Sequence, residues 1–419
     1  MLLVVSIIAA SALVILVLVQ AWCAACFIAV LRRQARSDHA DRPMPRAAIL
    51  LSLRGADPSL ARGLHSLTHQ DYPNYELHIV VDRPSDPAWS VAETAMRNSA
   101  VKVYLSPLRA AHDSCSLKCS ALAQMARELD ESVEVIVLAD ADMVSHAGWL
   151  RELIEPLQEE GVGAAFGNRW FMPREGRWGS LVRYLWNTAA VVPMYQLGIP
   201  WGGTFSMRRS VLDQTGLVER WTKAVVEDAP VRKALADVGL CVRFVPSLMM
   251  VNREECGLGF SLDFIKRQLT WTRLYHPHWN LVPWHALGTT LLFLATAGLL
   301  VWQCVAADWP AAIVAGAGLA FYQVSMLVLL GCIEHAVRRV LRRRAEQTSW
   351  LSWRTLFRLP VAMFLTQGVQ FIAVLLAMFR RQVAWRGVTY QMAGPWQIRM
   401  VGHVPFQQPL AAQENNTSL

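Results

Sequence analysis

The stretch Val135-Ile136-Val137-Leu138-Ala139-Asp140-Ala141-Asp142 decides how the rest of the chain is read. Its β-branched, apolar first half reads as a buried strand, and two carboxylates one residue apart close it. Alternate residues of a strand share a face, so the spacing predicts both carboxylates together at the strand's carboxyl end. Open α/β sheets bind ligands at that edge. Two hard oxygen donors there suit a divalent cation that holds a diphosphate.

Similar signals surround this strand. Apolar strands are expected at Ala47–Leu53, Leu77–Val81, Val101–Leu105 and Val133–Ala139. Helical spacing runs over Leu60–His69, Ser90–Asn98, Lys118–Leu129 and Trp149–Gln158. Strands alternating with helices predict an α/β domain, a Rossmann-like mostly parallel sheet covered on both faces. The expected division is an anchor at 1–31, a linker at 32–45, a cytoplasmic domain at 46–280, a membrane region at 281–380 and a tail at 381–419.

The 419 residues are 54% hydrophobic and only 17% charged, well below the roughly 25% charged residues of a soluble protein. Leu2 to Leu31 is almost wholly apolar and is followed by Arg32, Arg33 and Arg36. That segment is longer than the roughly 20 residues a crossing needs. It lacks a basic start, so it reads as a retained anchor rather than a cleaved signal. The arginines then place the next domain on the cytoplasmic side, with the bacterial inner membrane as the expected location. Further apolar stretches run over Trp284–Val305, Trp309–Ile333 and Pro360–Phe379, with a basic loop at 334–359. Four crossings are expected. However, Arg380, Arg381 and Arg386 argue for an inside C-terminus, which would make the last stretch re-entrant or interfacial. The net charge of +8 fits anionic headgroups or an anionic substrate. Nucleic acid is not an expected partner, because the basic residues cluster beside apolar segments. The eight cysteines show no zinc spacing and are expected to be reduced thiols.

Other acidic positions follow the same logic. Asp82 ends His78-Ile79-Val80-Val81, and Glu227-Asp228 precedes Ala229-Pro230 at a helix start. Arg267-Gln268-Leu269-Thr270-Trp271 comes just before the second membrane stretch, and Trp385-Arg386-Gly387 follows the last. In this order the motifs resemble family 2 glycosyltransferases of the GT-A fold. The nearer likeness is to the ceramide glucosyltransferase-like branch, which includes hopanoid-biosynthesis-associated members. The likeness covers about residues 45 to 280 and reaches the WRG-type segment at Trp385 to Tyr390.

The resemblance implies roles residue by residue. Asp82 would contact the nucleotide's base or ribose. Asp140 and Asp142 match the DxD pair, with Asp142 the more direct metal ligand. Asp228 matches the catalytic base, and Glu227 lies beside it on the acceptor side. Arg267 and Trp271 match the tryptophan motif near the donor diphosphate, and Lys118 is a looser match to a donor-contacting base. Thr270 departs from the motif by standing where it has arginine, so a cationic contact would fall to Arg267 or Arg273. Gly202-Gly203 reads as a turn whose backbone lines the acceptor site, through positive φ.

The expected activity is inverting transfer of a hexose from a nucleotide sugar, a UDP-sugar, to a hydroxyl of a ceramide-, hopanoid- or glycerolipid-like acceptor. Mg2+ or Mn2+ is the expected cofactor. The alternatives are a processive polysaccharide synthase and a non-catalytic membrane scaffold or sensor on a transferase-like domain.

Overall fold

The protein is described by a computed structural model over residues 2–33, 44–348 and 352–406. Most of the expected linker and the polar tail from 407 lie outside the described residues.

Seven strands form the central sheet: β1 (Ala47–Leu53), β2 (Tyr75–Val81), β3 (Lys102–Pro107), β4 (Val135–Ala139), β5 (Val162–Phe171), β6 (Thr204–Arg208) and β7 (Cys241–Asn252). Their order is β3-β2-β1-β4-β6-β5-β7. The first four run parallel, β6 is antiparallel to both its neighbours, and β7 runs parallel to β5. The order reverses between β1 and β4, so the cleft expected of such sheets opens at their carboxyl ends. β6 runs the other way, so its start meets the same edge. β1, β2 and β4 are buried on both faces, as strands covered by helices must be.

One face carries α2 (Leu60–Thr68), α3 (Pro87–Arg97) and α5 (Trp149–Ile154, continued as a 3-10 turn to Gln158), which close a core around Trp149 and Leu64. The other carries α4 (Leu117–Glu128), α6 (Trp178–Leu197) and the short α7 (Arg209–Gln214), α8 (Leu217–Trp221) and α9 (Val231–Ala236). α10 (Leu258–Tyr275) then leads to the membrane side.

Helices α1 (Leu2–Arg33), α11 (Leu281–Val305), α12 (Trp309–Arg343) and α13 (Trp353–Phe379) are each long and apolar enough to cross a membrane. α11 and α12 form the expected hairpin, in which the Asp308 carboxylate accepts from the Ala311 amide and caps α12. α1 lies along α12, with Gly318 against Ala10. The last turns of α1 leave the bilayer path and pack on the soluble domain: the Phe27 ring meets those of Tyr195 and Phe244, each at 5.9 Å.

α13 is the fourth of these helices, and both its ends bond to the α/β domain. Near its start, Arg358 Nη1 donates to the Gly176 carbonyl at 3.3 Å. At its end, Arg273 Nη1 donates to the Met378 carbonyl at 2.7 Å. Both anchor points are on the soluble domain. Its apolar outer residues, Phe357, Val361, Phe364 and Phe379, stay exposed. Pro360, Gln367 and Gln370 all lie inside this one continuous helix.

The segment expected as a tail is folded. β8 (Gln382–Trp385), β9 (Val388–Gly394) and β10 (Gln397–His403) form a three-stranded antiparallel sheet. It docks on the α/β domain: the Met400 amide donates to the Asp113 carbonyl at 2.7 Å and the Leu117 amide to the Tyr390 hydroxyl at 3.2 Å. Single cysteines at Gln347 and Gln391, introduced into a cysteine-free chain in sealed vesicles, are therefore expected to react with an impermeant thiol reagent from the same side as the exposed Cys241. Labelling of Gln391→Cys from the side of Cys304 would make α13 a fourth crossing.

Candidate active site

The strand ends bring one set of side chains to a cavity of about 760 Å³. Arg54 follows β1, Asp82 follows β2, and Asp140 and Asp142 follow β4, while Arg169 lies near the end of β5. The turn before β6 supplies Trp201, and the loop before α9 supplies Glu227 and Asp228. All of these line the cavity, together with Lys118, Arg267 and Trp271. Asp140 and Asp142 meet for a different reason from the one strand alternation predicts. β4 ends at Ala139 and both residues sit in a turn, held by a bond from the Met143 amide to the Asp140 carbonyl.

Lys118 is the centre of the cluster. The Ser116 hydroxyl caps α4 by accepting from the Cys119 amide at 3.1 Å, which fixes the first turn. From there Lys118 Nζ donates to Asp140 Oδ1 and Glu227 Oε1, each at 2.6 Å. Burial disfavours the ammonium, but the two carboxylates outweigh it and raise the pKa of Lys118. Arg169 Nη2 adds bonds to Asp140 Oδ2 at 3.3 Å and Asp142 Oδ1 at 3.0 Å. Trp201 Nε1 completes Asp140 at 3.2 Å. Burial likewise opposes ionisation of Asp140, yet Lys118 and then Arg169 hold its carboxyl below the usual range. Asp142 Oδ2 accepts no hydrogen bond among the described residues and faces the cavity. Asp142, with Asp140 behind it, therefore suits a divalent ion that takes its remaining oxygens from a substrate phosphate and water.

Asp228 is set differently. Its Oδ2 accepts from the Gly202 amide at 2.7 Å and its Oδ1 from the Ala229 amide at 2.6 Å. Burial, and then the neighbouring Glu227 charge, push its carboxyl up to about 7. It is thus the carboxylate of this group poised to exchange a proton near neutrality.

Several expectations change in detail. Gly202 and Gly203 have no positive φ and do not line the cavity. They are small for steric reasons: a Cβ on Gly202 would stand 1.9 Å from Glu227 Oε1, and one on Gly203 2.2 Å from the Trp201 ring. Glu227 lines the cavity while largely buried, and its Oε1 is bonded to Lys118. Asp82 reaches the cavity but is closely paired with Arg54, which also donates to the Arg386 carbonyl at 2.8 Å. Thr270 points into the protein, fully buried, and donates to the Lys266 carbonyl at 2.7 Å. Arg273 is turned toward the end of α13, as described above, and does not line the cavity. Arg267 does line it. It makes no ion pair among the described residues and stands 5.7 Å from the Trp385 ring. Burial, then the charges of Arg386 and Arg169, lower it to about 10.

Arg169 was not expected at the site, and Trp201 and Arg386 lie beside the glycine pair and in the WRG-type segment without having been given a role there. Arg386 Nη2 pairs with Asp57 Oδ2 at 2.6 Å and reaches the cavity from the C-terminal sheet. A cation directly after the apolar run of β5 was the available sign for Arg169; nothing local marks Trp201.

A sequence model of glycosyl transferase family 21 matches residues 4–395, and the chain belongs to this family. Among solved structures it is similar to a mannosyltransferase from Pyrobaculum calidifontis in complex with GDP-mannose and Mn2+. The identity is 15%, 89% of this chain and 99% of that chain are covered, and the TM-score is 0.45. It is also similar to glucosyl-3-phosphoglycerate synthase from Mycobacterium tuberculosis in complex with Mn2+ and UDP-glucose. There the identity is 17%, 54% of this chain and 79% of that chain are covered, and the TM-score is 0.34.

Two substitutions test this geometry. Gly203→Ala should displace Trp201 or Asp140 and lower turnover on the order of 100-fold while the far-UV spectrum stays native. Thr270→Arg, which restores the motif's residue type, should bury an unpaired charge and cost about 3 kcal/mol or more, read as a fall in the denaturation midpoint with no gain in turnover.

Proposed function

We propose that this family 21 glycosyltransferase moves a hexose from a nucleotide sugar, a UDP-sugar, to the hydroxyl of a membrane lipid of ceramide, hopanoid or glycerolipid type, with inversion. One observation carries this reading. The cavity that holds Asp140, Asp142 and Asp228 continues between α1, α6, α11, α12 and α13, where Cys23, Leu185, Thr289 and Met326 line it. A lipid could reach the carboxylates without leaving the bilayer boundary. The basic ends of α1 and α12 support a cytoplasmic face for the domain, on the bacterial inner membrane.

The donor diphosphate would lie at Asp142 and Arg267, with Asp82 toward the nucleoside and Trp271 along the wall. Asp142 and Asp140 would hold a Mg2+ or Mn2+ ion, which when bound would supply Lewis-acid relief of charge on the diphosphate oxygens. Arg267 provides fixed positive charge where negative charge develops. Asp228 takes the proton of the acceptor hydroxyl as that oxygen bonds to the anomeric carbon. The bond to the diphosphate breaks on the opposite face, and the electron pair leaves with the nucleoside diphosphate. Lys118 favours the ionised form of Asp140 and positions Glu227, and Gly202 holds the Asp228 carboxylate in place.

A base acts only when ionised. With the Asp228 carboxyl near 7, kcat should climb as pH rises toward 7 and level off above it. Asp228→Asn should lose that limb and about 100- to 10,000-fold in kcat, with donor Kd by calorimetry little changed. Asp142→Ala should instead weaken metal-dependent donor binding. Equal loss of donor binding in both variants, or no UDP release with any lipid extract, would remove the reading.

A further inference from the structure

At its membrane end the cavity is lined by polar side chains from four different helices: Gln20 of α1, His285 of α11, Tyr322 of α12, and Gln367 and Gln370 of α13. Four of them meet in pairs across helices. The Gln20 amide nitrogen stands 3.3 Å from His285 Nε2. Gln367 Nε2 stands 3.5 Å from the Tyr322 hydroxyl. The threonines nearby are satisfied by their own helices: Thr290 donates to the Ala286 carbonyl at 2.9 Å and Thr366 to the Ala362 carbonyl at 2.7 Å. The amides are not. Gln370 has no hydrogen-bond partner among the described residues although it faces the cavity, and the carbonyl oxygen of Gln367 has none either.

Amide groups at such a depth are costly unless something pairs with them. Bonds between helices account for Gln20, His285 and Tyr322. They do not account for Gln370, which ties nothing together. The depth is informative. From Leu2 to Gln20 the helix rises about 27 Å, close to the roughly 30 Å of a hydrocarbon core. His285 lies only four residues after the start of α11. The group therefore sits where the bilayer meets the catalytic domain, at the level of a lipid's backbone rather than its chain ends.

We propose that Gln367 and Gln370, supported by Tyr322, Gln20 and His285, determine acceptor specificity. They bind a second hydrogen-bonding group on the lipid backbone, one that both donates and accepts, apart from the hydroxyl that receives the sugar. This rests on the lipid-acceptor reading above. An amide fits such a group, because it can accept from one carboxamide and donate to the other. An ester at the same place can only accept, and leaves a carboxamide oxygen without a partner.

The test uses the full-length protein in phosphatidylcholine vesicles that carry either ceramide or diacylglycerol of matched chain length, with UDP-glucose as donor and UDP release and glycolipid both measured. The wild type is expected to favour the amide lipid by at least about 10-fold in kcat/KM, one lost charge-free hydrogen bond with a buried group left unpaired being worth about that much. Gln370→Leu should cut the preference to less than about 3-fold, through acceptor KM, with donor KM and the thermal midpoint unchanged; Gln367→Leu should act in the same direction. Equal use of both lipids by the wild type, or an unchanged preference in Gln370→Leu, overturns the proposal while leaving lipid glycosylation standing. Transfer to neither lipid, nor to a total bacterial lipid extract, overturns the lipid-acceptor reading itself.

Discussion

Asp140, Asp142, Glu227 and Asp228 line one cavity, and such a crowd of carboxylates is stable only because Lys118 lies inside it. One ammonium joins three parts of the chain: the first turn of α4, the turn after β4 and the loop before α9. Removing a partner from a buried ionic group leaves uncompensated charge, which costs more than the pair itself contributes. The same arrangement divides the labour among the acids. Lys118 and then Arg169 hold the Asp140 carboxyl below the usual range against its burial, whereas burial and then the Glu227 charge push Asp228 up despite its bonds from backbone amides. Two environments in one cavity thus give one acid for charge and another for proton transfer.

That position of Lys118 is not secured by the central sheet alone. The Tyr390 hydroxyl accepts from the Leu117 amide, one residue before Lys118, so the C-terminal sheet holds the helix start that aims the ammonium. The same sheet brings Arg386 to Asp57 and to the Arg54 carbonyl. The sheet follows directly on α13, whose two ends both touch the soluble domain. The outer face of that helix is apolar, and its cavity face carries Gln367 and Gln370.

The parallel half of the domain was readable because its signals are local. β1 was found at its observed limits, and the acids after β2 and β4 announce themselves by closing apolar runs. The antiparallel half was not read as elements. β5 is interrupted by Gly167-Asn168-Arg169, β6 has only five residues, and α6 is buried along so much of its length that its periodicity is weak. The C-terminal sheet was missed because β8 and β10 alternate exposed and buried residues only over short stretches, and pairing across the molecule supplies what local propensity lacks. The paired glycines show a subtler limit. Their need to be small was legible, but the reason lies in Trp201 and Glu227, which approach from other elements.

The threonine at 270 illustrates how a motif can change without losing its physics. An arginine at that point of α10 would have its guanidinium in the core, where Thr270 has no exposed surface. One turn earlier, Arg267 faces the cavity between the Phe264 and Trp385 rings. Aromatic faces hold a guanidinium without consuming its hydrogen-bond donors. Neighbouring Arg169 and Arg386 are both committed to carboxylates, and after burial, which is the larger cause, their charges lower the pKa of Arg267 further. A free cation under like-charged pressure gains more from an arriving diphosphate than a neutralised one does. The loss of a motif arginine is thereby offset by position: charge is supplied where the cavity opens, and the buried place that the motif would fill is given to a residue that can satisfy itself.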